Sequence, residues 1–212
     1  MGRRALKKID KSVDLSNHLK RLEQLVPWDP NKPFGRSAPL EIEIGSGKGL
    51  FMLSASAGCP DHNFLGIEIA YKYAEFAAYG LAVQESTNAV MMAGDAQPLF
   101  YEHFKDDSIH AVHVYFPDPW WKRRHRRRRI INKDFLLQVI RVLVPGGTFH
   151  FWTDVQEYYD SALAMIAAEL PQLHGPIPVG EEQSEHDFDY RTHFERRMRM
   201  HDEPVYRCQF TK

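Results

Sequence analysis

The sequence has few cysteines, no long apolar run and no excess of charge of either sign. Its two cysteines, Cys59 and Cys208, lie far apart and form no CxxC motif. This argues against a disulfide framework or structural zinc site and favours a reducing, cytoplasmic location. No apolar segment approaches the ~20 residues of a membrane helix, and the basic start lacks the apolar stretch of a secretion signal. We therefore expect no membrane association.

Metal binding is not expected either, although the chain has 11 histidines. The closest pair, His110 and His113, is spaced three apart in a predicted strand. Their side chains should therefore point to opposite faces of the sheet.

The positive charge is concentrated, although the whole chain has a formal net charge of −1. In YFPDPWWKRRHRRRR, residues 115–129, seven lysines and arginines follow one apolar strand. Basic runs are most often a solvated helix face or an import signal. The segments around this one decide between those explanations and a binding role.

The 212 residues predict one α/β domain from residue 40 onward, preceded by an irregular basic N-terminal extension, residues 1–39. Within the extension, one helical stretch is expected from Leu15 to Val26, followed by a proline-rich piece. Beyond it, predicted strands alternate with helices, which indicates an open, mostly parallel, doubly wound sheet. The strands are predicted at 40–44, 64–69, 88–93, 110–116 and 148–152. The helices are predicted up to 57, at 71–86, at 132–143 and at 155–170.

Acidic residues follow the predicted strands in a regular way. One stands at or just past each carboxyl end: Glu43, Glu68, Asp95, Asp118 and Asp154. The carboxyl ends of parallel strands share one edge, where ligands bind. Five carboxylates there would repel one another unless a positive group lies among them.

The loop EIGSGKG, residues 43–49, predicts a binding turn. Its glycines can bring a ligand close to the next helix N-terminus: Gly45, Gly47 and Gly49. A dinucleotide fingerprint would need glycine where Leu50 stands, and a P-loop would need serine or threonine at position 49. Glu43 would repel a phosphate but suits an ammonium or sulfonium cation.

Two further acids extend this site. Glu68 stands where a carboxylate accepts both ribose hydroxyls, and Asp95 could accept from an adenine amino group. An adenosine carrying a cationic amino-acid tail is S-adenosylmethionine, which we predict as the cofactor.

The segments EIGSGKG, FLGIE, FPDPWWKRRHRRRR, FWTD and RTHFE together resemble bacterial tRNA (guanine-N7-)-methyltransferases. The resemblance covers roughly residue 40 to the end of the chain. It implies a Rossmann-like class I methyltransferase domain at 40–212, S-adenosylmethionine as methyl donor, and N7 of a guanine in the variable loop of tRNA as acceptor.

The resemblance also implies roles for single residues. Cofactor contacts fall on Glu43, Glu68, Asp95 and Asp118. Contacts to tRNA fall on Lys122, Asp154, Thr192 and Glu195. Trp121 departs from the family, which usually carries proline at that position.

The expected chemistry needs little from the protein beyond positioning. Guanine N7 has an in-plane lone pair and can attack a sulfonium methyl without first losing a proton. As positive charge spreads over the purine, an acid bonded to its N1 and N2 hydrogens would stabilise the transition state. Asp118 and Asp154 are both candidates for that catalytic acid.

The basic run begins four residues after Asp118, so we expect it to meet the phosphates of tRNA, with Arg123 and Arg126 among the contacts. Trp120 is expected to stack on a base. For Trp121, stacking and core packing both remain open.

Two other functions are consistent with parts of the sequence. One is a methyltransferase that acts on a protein or small molecule; the other is a non-catalytic RNA-binding module on a degenerate scaffold. The intact glycines and acids argue against the second. The sequence leaves both a monomer and a homodimer open.

Overall fold

Five adjacent parallel strands form the centre of the sheet in the computed structural model, which describes residues 6–180 and 190–212. The first five residues of the basic extension and residues 181–189 lie outside the described residues. In chain order the strands are β1 (Leu19–Lys20), β2 (Leu40–Ile44), β3 (Asn63–Glu68), β4 (Ala89–Ala93), β5 (Ile109–Tyr115), β6 (Leu143–Thr153), β7 (His174–Pro178) and β8 (Tyr206–Thr211).

The strand order across the sheet is β1-β4-β3-β2-β5-β6-β8-β7. Pairing from β1 through β6 is parallel, and β8 pairs antiparallel with both β6 and β7. The predicted open, mostly parallel sheet is therefore confirmed. The antiparallel strands at the carboxyl-terminal end of the chain were not predicted, because the short segments 174–178 and 206–211 carry weak alternation of their own.

Helices cover both faces of the sheet, as in a doubly wound fold. The α-helices are α1 (Leu22–Leu25), α2 (Leu50–Gly58), α3 (Tyr71–Val83), α4 (Lys133–Val142), α5 (Gln156–Glu169) and α6 (His193–Arg199). On one face, Phe135 of α4 and Tyr158 of α5 belong to the larger apolar core. On the other, Phe51 of α2 and Ala77 of α3 pack in a second core with Trp152 of β6.

The helix predicted from Leu15 to Val26 was wrong. Residues 19 and 20 instead extend the edge of the sheet beside β4, where the Met91 N–H donates to the His18 carbonyl at 2.8 Å. Only one helical turn, α1, follows. The leucines of this segment have helical spacing, but pairing with an open strand edge decided its conformation.

The basic run forms a 3₁₀ helix at Arg123–Arg128. The helix α4 begins later, where the Asn132 side chain accepts a hydrogen bond from the Phe135 N–H at 3.0 Å. No helix in the described ranges is both long enough and apolar enough to cross a membrane.

Candidate active site

The five acids predicted from the strand ends lie along one edge of the sheet. Their strands are adjacent in the order β4-β3-β2-β5-β6 and parallel, so all five carboxyl ends point the same way. Along that edge the acids follow in the order Asp95, Glu68, Glu43, Asp118 and Asp154. The sheet therefore brings together groups that are up to 111 residues apart in the sequence (154 − 43).

The glycine loop is held in a conformation that other residues rarely adopt. Gly47 has φ +54, and its N–H donates to Glu68 Oε2 at 2.9 Å. At Gly49, φ is +76 and an added Cβ would lie 2.5 Å from the Ala77 Cβ on α3. A side chain at Gly49 would therefore push α3 away from the loop, which explains the need for glycine there.

Glu43 is a buried carboxyl group, and one of its oxygens has no partner among the described residues. It is 2% exposed, and its Oε2 has no hydrogen-bond partner among the residues that the structure describes. Burial raises its pKa to about 8; a hydrogen bond from Ser46 opposes the rise, and the nearby Glu68 charge adds to it. An unpartnered buried acid of this kind is suited to receive a cation.

Glu68 and Asp95 lie on the neighbouring strand ends. Glu68 is 8% exposed and is fixed by N–H donors from Gly47 and Ala70 at 2.9 and 2.8 Å, so its carboxylate is held in one orientation. Asp95 is exposed and accepts from the Gln97 N–H at 3.0 Å. Directly after Glu68 the structure exposes Ile69, an apolar residue that is 75% exposed and that the sequence analysis did not identify. Its position directly after Glu68 was the available signal.

The loop after β5 carries Asp118 between two residues with positive φ. Phe116 has φ +50 and Trp120 has φ +45, values that are rare for residues with bulky side chains. Such backbone strain is concentrated at functional sites. Asp118 itself is exposed on this loop.

The two tryptophans of this loop differ in their surroundings. Trp120 is half-buried, lies edge-on to His125 with 5.9 Å between the ring centroids, and has the Arg128 guanidinium 5.1 Å from its centroid. Trp121 is 68% exposed, so the core-packing alternative left open for it is wrong. Stacking of Trp120 on a base stays a prediction.

The basic run is not one uniform surface. Arg129 is 8% exposed: it donates to the Pro119 carbonyl and pairs with Glu157, each at 2.8 Å, and its guanidinium lies 4.3 Å from the Tyr158 ring centroid. It ties the loop to α5 and is not available to RNA, which corrects the expectation for the last residue of the run. Arg126 also pairs with Glu157, at 3.1 Å, but remains exposed.

Free cations remain at the start and middle of the run. Those that are exposed, with no hydrogen bond, ion pair or ring contact from the side chain to the described residues, are Lys122, Arg123, Arg124 and Arg127. They project from the segment that follows Asp118. The part of the run available to phosphates is therefore shorter than the sequence suggested.

Asp154 is half-buried directly after β6. Burial raises its pKa, and the charge of Arg197 on α6 partly opposes the rise. The Thr192 hydroxyl caps α6 by accepting from the Glu195 N–H at 3.0 Å. Glu195 is 3% exposed, accepts from the Arg191 N–H at 2.8 Å and pairs with Arg207 at 3.0 Å. Both polar groups of this predicted tRNA contact are thus engaged within the protein, and the contact itself stays a prediction.

Known proteins resemble this chain over most of its length. A curated tRNA (guanine-N(7)-)-methyltransferase from Rhodopirellula baltica is 49% identical over 219 residues, which cover 100% of this chain and 80% of that protein. One from Myxococcus xanthus is 34% identical, covering 92% of this chain and 93% of that protein. The chain belongs to the tRNA (guanine-N(7)-)-methyltransferase family. A family model described as "Putative methyltransferase" also matches residues 37–208.

Solved structures agree with the methyltransferase fold of this family. An antibiotic-related methyltransferase aligns with a TM-score of 0.57 at 15% identity, over 95% of this chain and 96% of that one. A 30S ribosomal A1408 methyltransferase from an uncultured bacterium aligns with a TM-score of 0.55 at 16% identity, over 87% and 94%. At such identities the likeness shows the fold alone. It confirms the predicted class I methyltransferase architecture.

The residues at the edge fit S-adenosylmethionine, the methyl donor of such enzymes. The unpartnered Glu43 oxygen suits its cationic tail, and the fixed Glu68 carboxylate suits two ribose hydroxyls. Ile69 adds an exposed apolar side chain directly after Glu68. In the described residues, no group of three or more metal-ligating side chains is gathered.

Proposed function

We propose that this protein transfers the methyl group of S-adenosylmethionine to N7 of a guanine in tRNA, in the variable loop as the family resemblance implies. The observation that carries the proposal is the single edge on which a cation-accepting acid, a glycine loop and a basic segment meet. Membership of the tRNA (guanine-N(7)-)-methyltransferase family supports the choice of reaction.

S-Adenosylmethionine, when bound, supplies a methyl group on a sulfonium. The new bond forms between this methyl and guanine N7 as the sulfur–methyl bond breaks, leaving a neutral thioether and a cationic purine. N7 carries no proton, so no general base is needed there. Neither cysteine is placed for nucleophilic work: Cys208 is buried in β8 opposite Phe151, and Cys59 ends α2.

The protein's contribution is to hold the cofactor and to stabilise the charge that develops on guanine. Glu43, Glu68 and Asp95 orient the cofactor, and the exposed Asp118 reaches the same space from the next strand end. Asp154 accepts from the N1 and N2 hydrogens of guanine, which become more acidic as the purine gains charge. Its half-buried position strengthens such a hydrogen bond relative to one in water.

The free cations that follow Asp118 bind tRNA phosphates. Their charges supply affinity for RNA of any sequence and bring the target base to the edge. The contacts that other members of the run make within the protein mean that this work falls on Lys122, Arg123, Arg124 and Arg127, with Arg126 shared between Glu157 and RNA. We place the enzyme in the cytoplasm, where tRNA is processed, as a monomer or a homodimer.

The test is transfer of labelled methyl from S-adenosylmethionine to unmodified tRNA, followed by aniline cleavage at N7-methylguanosine. We expect label in tRNA, one cleavage position, and none in added protein. A matched Glu68→Ala variant should lose cofactor binding in calorimetry while retaining tRNA affinity. Label that enters protein or a small molecule, with tRNA unlabelled, would refute the proposal.

A further inference from the structure

The short helix α6 is fixed against the carboxyl end of β6. Glu195 of α6 pairs with Arg207 of β8 at 3.0 Å, and both side chains are less than a tenth exposed. Arg207 stands opposite Trp152 in the antiparallel register, with its guanidinium 5.2 Å from the Trp152 ring centroid. Because Trp152 precedes Asp154 by only two residues, α6 lies beside the loop that carries Asp154.

The same helix also contacts the loop of the other candidate acid. Phe194 lies 4.8 Å from Phe116, measured between ring centroids. Phe116 is strained at φ +50 and is two residues from Asp118. Its N–H donates to the Trp152 carbonyl at 2.8 Å, which keeps the two strand ends together. The helix therefore bridges the loops of Asp118 and Asp154.

Arg197 presents a cation in that bridge. Its guanidinium lies 4.3 Å from the Phe194 ring centroid, and its side chain is exposed and makes no ion pair with the described residues. Its charge is close enough to Asp154 to oppose the rise that burial causes in the pKa of that acid. A guanidinium resting on an aromatic ring is pre-organised to donate to a planar acceptor.

Building on the function proposed above, we propose that Arg197 and Asp154 together recognise the Watson–Crick edge of the target guanine. The carboxylate of Asp154 accepts from N1–H and N2–H, and the guanidinium of Arg197 donates to O6. These groups are adjacent on guanine, and α6 holds Arg197 beside the loop that carries Asp154. Adenine presents the reverse order, with an amino donor at C6 and an acceptor at N1, so both side chains would face the wrong partner.

The two residues act at different stages of the reaction. Methylation of N7 makes the purine cationic, which strengthens its hydrogen bonds to a carboxylate but not those that O6 accepts from a guanidinium. Asp154 therefore stabilises the transition state, whereas Arg197 stabilises bound guanine and selects it. Loss of Arg197 should raise KM and leave kcat nearly unchanged.

The experiment compares tRNA that carries guanine at the target position with tRNA that carries 6-thioguanine there. The thio base keeps N1–H and N2–H but replaces O6 by sulfur, a weaker acceptor. For the unaltered enzyme, we expect kcat/KM to fall about tenfold or more on the thio substrate. For Arg197→Met, kcat/KM on guanine should fall by a similar factor, and the two substrates should then differ by less than about threefold.

Lys105→Gln is the matched control, because it removes an exposed cation just before β5, at the opposite edge of the sheet. It should retain the full preference for guanine. If Arg197→Met does not fold, as judged by circular dichroism, Arg197→Lys replaces it and should show a reduced preference, because an ammonium lacks the planar donor fork.

Three results would overturn the inference. One is equal activity of the unaltered enzyme on both substrates. Another is an equal loss on both substrates in the Arg197 variant together with a flatter salt dependence of tRNA binding, which would assign Arg197 to a phosphate. The third is a variant that keeps the full preference for guanine. Failure of the unaltered enzyme to methylate any tRNA would instead refute the proposed function itself.

Discussion

Cofactor binding should release a proton from Glu43, and this coupling can be worked out from the structure. Burial raises the pKa of Glu43 to about 8, so in the free protein its carboxyl group is mostly protonated at pH 7. A cationic cofactor tail binds the ionised form. Between pH 6 and pH 7, the cofactor's affinity should therefore rise about tenfold, and about 0.9 proton should be released per cofactor bound at pH 7.

Isothermal titration calorimetry in buffers of different ionisation enthalpy measures both quantities. Working at pH 7 or below keeps the α-amino group of the cofactor, with an ordinary pKa of about 7.7–8.0, mostly protonated. Glu43→Gln should bind more weakly and with no proton release. A pH-independent affinity, or a proton count that Glu43→Gln does not change, would refute the role assigned to Glu43.

The same variant makes a prediction for stability. A carboxyl group whose folded pKa lies above its unfolded value contributes stability that is lost as pH rises from about 4.5 to about 8. At pH 7 the free energy of unfolding of Glu43→Gln should therefore be about 3 kcal/mol higher than that of the unaltered protein, which denaturant titrations measure. The variant should nevertheless bind the cofactor less well. A destabilised variant would contradict the idea that this acid is held at a cost to folding.

Other predictions concern acid stability, the basic run and the chemical step. Burial, with the charges of His113 and Arg191, lowers the pKa of His150 to about 3, so the contribution of His150 to stability should fall as pH drops below 6.5. Between pH 8 and pH 5 this contribution falls by ~2 kcal/mol, against the opposite contribution of Glu43, so in urea titrations His150→Phe should gain ~2 kcal/mol relative to the unaltered protein over that interval. Arg129→Gln should lower the free energy of unfolding by about 2 kcal/mol, because it leaves the Pro119 carbonyl without its donor and Glu157 with Arg126 alone. The triple change of Arg123, Arg124 and Arg127 to Gln should instead change the free energy of unfolding by less than about 0.5 kcal/mol. In filter binding it should flatten the log–log salt dependence of tRNA affinity by up to about two units. An unchanged slope would show that these arginines make no phosphate contacts. Asp154→Asn should lower single-turnover rates at saturating ligands far more than either dissociation constant, and a pure loss of tRNA affinity would assign Asp154 to positioning.

The central sheet and its ligand edge could be predicted from the sequence because their signals are local. Each core strand is an apolar run bounded by turn residues, and each is followed by an acid at its carboxyl end. The parallel alternation then requires these acids to meet at one edge. The residues of the glycine loop, with Glu43 and Glu68, were identified in the same way, since spacing along the chain limited what they could bind.

Other features depended on contacts between distant segments. The N-terminal leucines have helical spacing, yet residues 19 and 20 became a strand because β4 left an open edge beside them. Strand β8 entered the sheet by pairing antiparallel with β6, a partner more than 50 residues earlier in the chain. Neither arrangement has a local signal strong enough to predict it.

The basic run shows most clearly which features the sequence predicts and which ones only the tertiary structure decides. Its position after Asp118 and its charge were evident from the residues alone. The residues alone did not show which arginines are free. Glu157 and Tyr158 of α5 contact Arg129 and bury it, whereas Arg127 stays in solvent. Likewise, only the packing of α6 between two strand ends placed Arg197 near Asp154. Composition and spacing determined the kind of ligand, and contacts between segments far apart in the chain decided which side chains can reach it.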